Sequence, residues 1–336
     1  MNDTVTTLDE TSASNGGTSW RDRLGDTQNL GLIAVLVLAF VAGWVTSPDT
    51  FLDANNFLTI LKSAAVIGVV SVGMTFVIIG GGIDLSVGAI VALASVWGTT
   101  VASQEMGLWG MLFAFLAVGT ATGLVNGVLI AYGKIVSFIA TLAMLVSARG
   151  LAQYISDGQT QIVEVSAFRS LNNGDVFGIP NLVVMLIVVA AIGWFVLNRT
   201  TFGRRTFAVG GNPEAARLAG INVKRQTMLL FTLSGLACGI AAIMIVARTT
   251  TGSSTHGNLY ELDAIGAVVI GGTSLAGGRG TMVGTVLGVL VFTVMTNIFV
   301  LNNLTTDLQN IAKGVIIVLA VLLQQRTQRG SDGAHA

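Results

Sequence analysis

Long apolar stretches follow one another along almost the whole chain. A helix needs about 20 mostly apolar residues to span a bilayer. Ten stretches approach or exceed this length: 30–47, 60–79, 86–103, 108–131, 135–155, 180–198, 227–248, 262–276, 282–300 and 311–324. The eighth is short and the third follows a glycine cluster, so each can be a partial or broken helix. The pattern predicts an all-α polytopic membrane protein with about ten transmembrane helices.

The composition supports the same fold class. Only 10% of the residues are charged and 52% are hydrophobic, whereas a soluble domain carries about 25% charged residues. The 17 basic and 17 acidic residues cancel, which argues against nucleic acid as a partner. The 42 glycines and 3 prolines fit helices whose backbones pack closely in a membrane.

The basic residues predict the orientation, because cytoplasmic segments are enriched in Lys and Arg. With a cytoplasmic N-terminus, Arg169 is alone in the outer loops, and four basic residues lie within spans or at their edges. The other twelve fall inside: Arg21, Arg23, Lys134, Arg199, Arg204, Arg205, Arg217, Lys224, Arg225, Arg279, Arg326 and Arg329. Both termini are therefore expected in the cytoplasm.

The expected domain organisation is a single membrane domain with two tails. A polar cytoplasmic tail, expected to be disordered, covers residues 1–29; the permease domain covers 30–325, and a second tail covers 326–336. Two long loops interrupt the domain. The loop at 156–179 is polar and external, whereas the loop at 199–226 is internal and carries six basic residues.

The inner loop contains a short helix with its own start and stop signals. Asn212 suits the N-cap, Pro213 the first helical position, and Glu214 the positive helix end, while Gly220 ends the helix. A basic anchor that enforces the topology explains the charges of the loop but not these signals. A capped helix exposed in the cytoplasm favours docking to a partner.

Asp84 is an ionisable residue between two apolar runs, within GGGIDLSVG. Such a residue in a bilayer usually faces a bundle interior or a water-filled cavity, which suggests a role in a gate or a substrate path. The alternative is that Asp84 only caps the helix that starts near Ser86. The three preceding glycines imply a break in the backbone in either case.

Glu261 and Asp263 form a second acidic site, at the expected outer start of the eighth span. Capping and a role in the path are both open for them. Arg149 and Arg248 lie near the outer ends of their spans. There an arginine can extend toward the headgroups or pair with one of these acids.

An internal repeat is suggested by two similar glycine motifs. Gly81-Gly82-Ile83-Asp84-Leu85 and Gly271-Gly272-Thr273-Ser274-Leu275 each follow an apolar run, 190 positions apart. Glycine-interrupted hydrophobic segments at matching positions indicate a translocation path between two halves of a transporter.

Several chemistries have no motif in the sequence. No phosphate-binding G-x-x-x-x-G-K-[ST] loop occurs. The single cysteine, Cys238, lies in an apolar run and is expected to be a packing residue. With no Cys/His cluster and no serine elbow, we expect no catalytic residue, no metal site and no cofactor in this chain. An energy source would have to lie in another subunit.

The chain resembles the permease subunits of bacterial binding-protein-dependent ABC importers for monosaccharides, the ribose permease type most closely. Three stretches carry the resemblance, at 73–93 (GMTFVIIGGGIDLSVGAIVAL), 207–223 (FAVGGNPEAARLAGINV) and 260–288 (YELDAIGAVVIGGTSLAGGRGTMVGTVLG). The stretch 137–151 adds a looser match. Together they span the membrane region, whereas the outer loop matches poorly.

The resemblance implies which residues are functional. The coupling helix that contacts the ATPase would include Gly211, Asn212, Pro213, Glu214, Ala215, Ala216 and Gly220. The translocation path or gate would include Gly82, Asp84, Ser86, Gly88, Glu261, Asp263, Gly271, Gly272 and Ser274. Leu85, Leu275, Gly277 and Gly278 also match the two membrane motifs. No single residue is assigned to the sugar.

The resemblance also implies the partners. A cytoplasmic ABC ATPase would bind the ATP and Mg²⁺, and a periplasmic or lipid-anchored binding protein would deliver the sugar. A second permease copy, identical or related, would complete the path in the bacterial cytoplasmic membrane. The sugar could be ribose, another pentose, a hexose or a polyol.

Three alternatives stay open. A permease for branched-chain amino acids shares the architecture of this family. A secondary transporter or channel would move its substrate without an ATPase. A membrane enzyme fits least well, because the sequence contains no catalytic constellation.

Overall fold

The computed structural model describes residues 27–332, which are almost entirely helical. Its helices are α1 Thr27–Thr46, α2 Pro48–Phe51, α3 Ala54–Ile79, α4 Val87–Gly98, α5 Val101–Glu105, α6 Gly107–Ala131, α7 Ser137–Ser156, α8 Ser166–Asn173, α9 Asn181–Arg199, α10 Thr201–Gly211, α11 Pro213–Leu218, α12 Val223–Thr249, α13 Tyr260–Ile270, α14 Met282–Leu301 and α15 Thr306–Asp332. Of the expected tails at 1–29 and 326–336, residues 1–26 and 333–336 lie outside the described residues, whereas 27–29 belong to α1 and 326–332 to α15.

Six of the described helices are long and apolar enough to cross a membrane, namely α3, α6, α7, α9, α12 and α14. Shorter apolar helices lie at Leu30–Thr46, within α1, and at Val87–Gly98, which is α4. The helix α13 has 11 residues, too few to span a bilayer, as expected for the eighth apolar stretch. The prediction of an all-α polytopic membrane protein is confirmed.

Four two-residue strands occur among the described residues: β1 Gln161–Ile162, β2 Asp175–Val176, β3 Ile179–Pro180 and β4 Thr251–Gly252. β1 pairs antiparallel with β4, and β2 pairs antiparallel with β3. All four lie at the end of the bundle opposite to α10 and α11. We call the end with α10 and α11 the inner end and the other the outer end, following the expected orientation.

The helices α6 and α12 pack at backbone distance. Gly119 and Gly123 on α6 face Gly235 and Gly239 on α12, and a Cβ on Gly119 would lie 2.7 Å from the Gly239 nitrogen. Small residues spaced four apart allow this close approach in membrane helices. The glycine content therefore has the role expected from the sequence at this interface.

The centre of the bundle is formed by α3, α4 and α12. Met74 and Ile78 of α3, Val87 and Ile90 of α4, and Met244 of α12 belong to one buried apolar cluster. Cys238 on α12 is also completely buried in this cluster. Its side chain packs as a small apolar residue, as predicted.

Candidate functional site

The chain leaves helical structure between α3 and α4, in a segment that we call the inner re-entrant segment (80–86). α3 ends at Ile79, and Gly81 adopts a φ of +82°, a backbone conformation that favours glycine. The Gly82 N–H then donates to the Val77 carbonyl at 2.9 Å. From the inner end, the segment leads into the bundle, where α4 starts at Val87.

Asp84 lies in the inner re-entrant segment and is completely buried. Its Oδ1 accepts hydrogen bonds from the Ser86 N–H at 3.0 Å and the Ser86 hydroxyl at 2.5 Å. Its Oδ2 accepts from the Ser234 hydroxyl at 2.9 Å. Ser234 is near the middle of the 27-residue α12, so Asp84 lies at about half the depth of the bundle.

Asn126 of α6 completes this group of side chains, which we call the Asp84 cluster (Asp84, Ser86, Asn126, Ser234). Asn126 Nδ2 donates to Ser86 Oγ at 2.8 Å. Its Oδ1 is buried and has no hydrogen-bond partner among the described residues. Asp84 thus meets the backbone N–H at Ser86, as a cap would, and also holds α12 through Ser234. The capping interpretation describes only part of its contacts.

A second irregular stretch, the outer re-entrant segment (250–259), runs along α4 from the outer end into the bundle. Gly252 packs against the Ser95 carbonyl, His256 Nδ1 lies 2.7 Å from Ser95 Oγ, and Gly257 packs against Gly88. Ser95 and Gly88 are seven residues apart on α4, about 10 Å at the rise of an α-helix. The segment therefore descends by about that distance.

Glu261 and Asp263 lie deeper than the sequence indicated. Both lie in the first turn of α13, at the start of the eighth apolar segment as predicted, but the outer re-entrant segment carries that turn down to the level of Gly88. Glu261 Oε2 lies beside Gly88 and is buried without a hydrogen-bond partner in the described part of the chain. The N-cap of α13 is Leu259, with no side-chain capping bond.

Asp263 is buried and forms an ion pair with Lys313 of α15. Lys313 Nζ lies 2.9 Å from Asp263 Oδ1 and 3.1 Å from Oδ2. Arg149 and Arg248, the two partners expected from the sequence, do not form this ion pair with Asp263. Asp263 and Lys313 are 50 positions apart, so the pairing has no local signal in the sequence.

Arg149 of α7 points inward instead of extending toward the headgroups. Its Nη1 donates to the Ser254 carbonyl at 2.6 Å and to the His256 carbonyl at 2.9 Å. The guanidinium also interacts electrostatically with Glu261. Arg149 thereby fixes the outer re-entrant segment, which has few backbone hydrogen bonds of its own.

The helix α11 at the inner end has the termini that the sequence predicts. Asn212 is its N-cap, and Oδ1 accepts from the Glu214 N–H at 3.0 Å and the Ala215 N–H at 2.9 Å. The Gly220 N–H donates to the Arg217 carbonyl at 3.0 Å just after the helix. Apart from the buried Ala216, most of the helix is exposed.

The surface of α11 combines charge with an apolar residue. Glu214 and Arg217 form an exposed ion pair, and the hydrogen bond from Arg217 lowers the pKa of Glu214. Leu218 beside them is 75% exposed. A short, rigidly capped helix with such a surface suits docking to a cytoplasmic protein.

The two glycine motifs and the inner loop meet at one point, which we call the glycine junction (Gly81, Gly210, Gly277, Gly278). The Gly278 N–H donates to the Ile79 carbonyl at 2.8 Å. A Cβ on Gly210 would collide with that carbonyl and lie 2.7 Å from the Gly278 nitrogen. A Cβ on Gly277 would lie 2.7 Å from the Gly210 carbonyl oxygen. No sequence signal marks Gly210 as a functional residue, because its contacts are distant in the chain.

The glycine motifs end their helices in the same way. Gly81 and Gly272 have φ values of +82° and +87°, and the residue after each donates to the carbonyl five positions earlier, Val77 and Val268 respectively. The equivalent positions are 191 residues apart, so the register of 190 is wrong by one. The likeness ends there, because Gly82 leads to the short α4, whereas Gly272 leads to a loop and the long α14.

Ser274 lies in the loop after Gly271 and Gly272. Its N–H donates to the Arg279 carbonyl at 3.0 Å, which closes a tight loop over 274–279. This loop carries Gly277 and Gly278 to the glycine junction. The path candidates therefore form separate groups: Asp84 and Ser86 in the Asp84 cluster, Gly88 and Glu261 beside the outer re-entrant segment, and the 271–274 group near the inner end.

Within the described residues, no group of three or more His, Cys, Asp or Glu side chains could hold a metal ion. A cavity of about 410 Å³ opens at the inner end beside the glycine junction, lined by residues that include Gly81, Ser137, Gly210, Pro213 and Phe231. The cavity therefore lies between the start of α11 and the inner re-entrant segment.

Long apolar helices around two irregular segments at membrane depth define a polytopic membrane protein of the transporter class, since such breaks mark transport sites. The family described as "Branched-chain amino acid transport system / permease component" matches residues 56–321. The chain belongs to this permease family.

Relatives match over nearly their full length. The ribose import permease protein RbsC of Bacillus subtilis is 40% identical over 306 residues, 90% of this chain and 94% of its own. The Escherichia coli K12 protein of the same name is 39% identical over 301 residues, 88% and 93% of the two chains. The L-arabinose ABC transporter permease protein AraH of Azospirillum brasilense is 39% identical over 305 residues, 89% and 88%.

These relatives confirm the resemblance found in the sequence. No solved structure matches the chain at a significant level. The ATPase contact at 211–220 and the path residues stay predictions, because no relative's name assigns a role to any residue.

Proposed function

We propose that this chain is the permease subunit of an ATP-driven importer and forms the pathway for a monosaccharide. The observation that carries the proposal is its identity of 37–40% to ribose and arabinose permeases over about 90% of their length. The extent of the coverage matters, because the membrane core and the inner loop are both included. Ribose or arabinose is the first sugar to test.

The pathway runs beside the two re-entrant segments. Irregular backbone at membrane depth is tolerated only where it is buried in protein or lines a water-filled cavity. The Asp84 cluster fixes the start of α4 on one side of the proposed pathway, and Glu261 lies on the other side. Substrate passes between outer and inner ends by alternating access.

The conformational change of the ATPase is transmitted to the permease through α11. A cytoplasmic ABC ATPase binds ATP and Mg²⁺ and docks on α11, with Leu218 and the Glu214–Arg217 pair as contacts. The glycine junction supports this role, because it joins the residues just before α11 to both glycine motifs. The permease itself is not catalytic.

The remaining parts of the proposal follow from the family and the charge distribution. The chain lies in a bacterial cytoplasmic membrane with about ten spans and with both termini inside. A binding protein delivers sugar to the outer end. A second permease copy, identical or related, completes the pathway.

The decisive experiment is gentle purification of the tagged chain from its own membranes. We expect an ABC ATPase to copurify, with hydrolysis stimulated by a sugar-loaded binding protein. A chain that came alone and moved sugar in ATP-free liposomes would contradict the proposal and identify a secondary transporter.

A branched-chain amino acid permease is the second candidate, because the description of the matching family names that substrate class. Competition separates the two functions. Excess D-ribose or L-arabinose should inhibit uptake of the labelled sugar and excess L-leucine should not. Inhibition by L-leucine alone would favour the amino acid.

A further inference from the structure

The outer re-entrant segment presents polar side chains where a membrane protein normally presents apolar ones. Thr255 and Asn258 are exposed, and His256, Glu261 and the nearby Arg149 are partly exposed. This region extends along α4 from the level of Ser95 to that of Gly88, about 10 Å deeper by the rise of an α-helix. Such groups cannot face hydrocarbon, because each unsatisfied polar group there costs several kcal/mol. The face therefore does not meet lipid.

Arg149 interacts with two other partly exposed residues of this face. Its Nη1 donates a hydrogen bond to the backbone carbonyl of His256 at 2.9 Å, and its guanidinium interacts electrostatically with Glu261. His256 Nδ1 lies at hydrogen-bond distance from Ser95 Oγ, 2.7 Å away. The other ring nitrogen, Nε2, is therefore left to bind a ligand.

Glu261 supplies an acceptor that the protein itself does not use. Its Oε2 has no hydrogen-bond partner in the described part of the chain, and a buried acceptor without a partner is costly. Oε2 packs closely against Gly88, where a Cβ would lie 2.5 Å from that oxygen, whereas Glu261 as a whole is partly exposed. A hydroxyl group of a ligand would satisfy the acceptor.

We propose that Arg149, His256 and Glu261 form a binding site for the hydroxyl groups of a monosaccharide within the pathway. The proposal rests on the proposed function. The opposite charges of Arg149 and Glu261 offset each other, which suits a neutral ligand. Together they offer donors and acceptors, as adjacent sugar hydroxyls require. The neighbouring Ser253, Thr255 and Asn258 provide no apolar pocket for a leucine side chain.

The single cysteine makes a direct test feasible. Cys238 is completely buried, so a new cysteine on the surface is the only thiol readily modified. Asn258→Cys places a thiol beside the site, and Thr255→Cys is a second reporter if the first variant fails to fold. Gln159→Cys, exposed in the outer loop, is the matched control.

Each variant is placed in nanodiscs as the complete complex with its ATPase and treated with a water-soluble thiol reagent. D-Ribose and L-arabinose are the probes, with L-leucine in parallel. A sugar at about ten times its apparent Kd should slow modification of the Asn258→Cys variant by about tenfold and leave the Gln159→Cys variant unaffected. Adding Glu261→Gln should remove the protection without changing the unprotected rate.

Cells that express each reporter are assayed for ATP-dependent uptake of both sugars. Normal uptake with no modification of either reporter, or with modification that neither sugar slows, would overturn the site and leave the proposed function standing. Protection by L-leucine alone would also overturn it. Absence of sugar uptake by the parent chain would instead refute the proposed function.

Discussion

A buried carboxylate without a cation has to be stabilised by hydrogen bonds, and Asp84 depends on two serines for them. Ser86 donates twice to Oδ1, and Ser234 is the donor to Oδ2. Removing a donor leaves a buried acceptor unsatisfied, at a cost of about 1–3 kcal/mol. The contribution of each serine can therefore be separated by substitution.

We expect Ser234→Ala to destabilise the protein by about 1–3 kcal/mol, because Asp84 Oδ2 loses its donor. Ser71→Ala is the matched control, since Ser71 is also fully buried on a long helix but its hydroxyl has no partner among the described residues. Thermal unfolding of the purified variants measures the effect. Equal midpoints for both variants would show that the Ser234 bond contributes nothing.

At the scale of elements, the glycine junction is where three segments touch through their backbones. No side chain separates Gly210 from the Ile79 carbonyl or from Gly278. Movement of α10 and α11 therefore reaches both glycine motifs without flexible intermediates. Close-packed contacts of this kind shift between discrete arrangements and transmit small displacements.

Gly210→Ala should uncouple ATP hydrolysis from transport, because its Cβ forces apart the contact between Ile79 and Gly278. We expect ATP-dependent uptake to fall about tenfold or more, within the 5–150-fold typical of coupling energies, while the chain still inserts and binds its ATPase. Uptake per cell and copurification of the ATPase are the measurements. Gly31→Ala, with no neighbour within 4 Å, should retain uptake. Normal uptake by Gly210→Ala would exclude this route.

The ion pair between Asp263 and Lys313 ties the short α13 to α15. Lys313→Met should destabilise the protein by about 3–5 kcal/mol, because it leaves a buried carboxylate unpaired. Combining it with Asp263→Asn should restore most of the loss, as a double-mutant cycle would show in thermal unfolding. Lys62→Met is a control, since Lys62 has no ion pair within the described residues. A loss that the double variant keeps in full would contradict the pairing.

At the scale of the whole molecule, the sequence predicted the features that depend on residues close together in the chain, such as helix ends and caps. The ends of α9 at 181–199 differ by one residue from the apolar stretch at 180–198, and the caps of α11 are fixed by residues within a few positions. The partner of Asp263, the position of Gly210 and the depth of Glu261 depend on contacts between distant segments. No periodicity or motif in a single sequence contains that information.

The orientation of the whole bundle is the expectation that depends most on charge. Twelve of the 17 basic residues fall on the side of α10 and α11 if the N-terminus is cytoplasmic, and Arg169 alone falls in the outer loops. Basic residues remain on the cytoplasmic side during insertion. The hairpin of β2 and β3 should therefore face outward and α11 inward.

Cysteine labelling tests this orientation, because the native Cys238 is buried. Phe177→Cys lies on the fully exposed hairpin tip and Leu218→Cys on α11, where the native side chain is 75% exposed. A membrane-impermeant thiol reagent should modify the first variant in right-side-out vesicles and the second only in inside-out vesicles. The opposite result would invert the topology. It would also place α11 beyond the reach of a cytoplasmic ATPase, so the docking proposal depends on the same measurement.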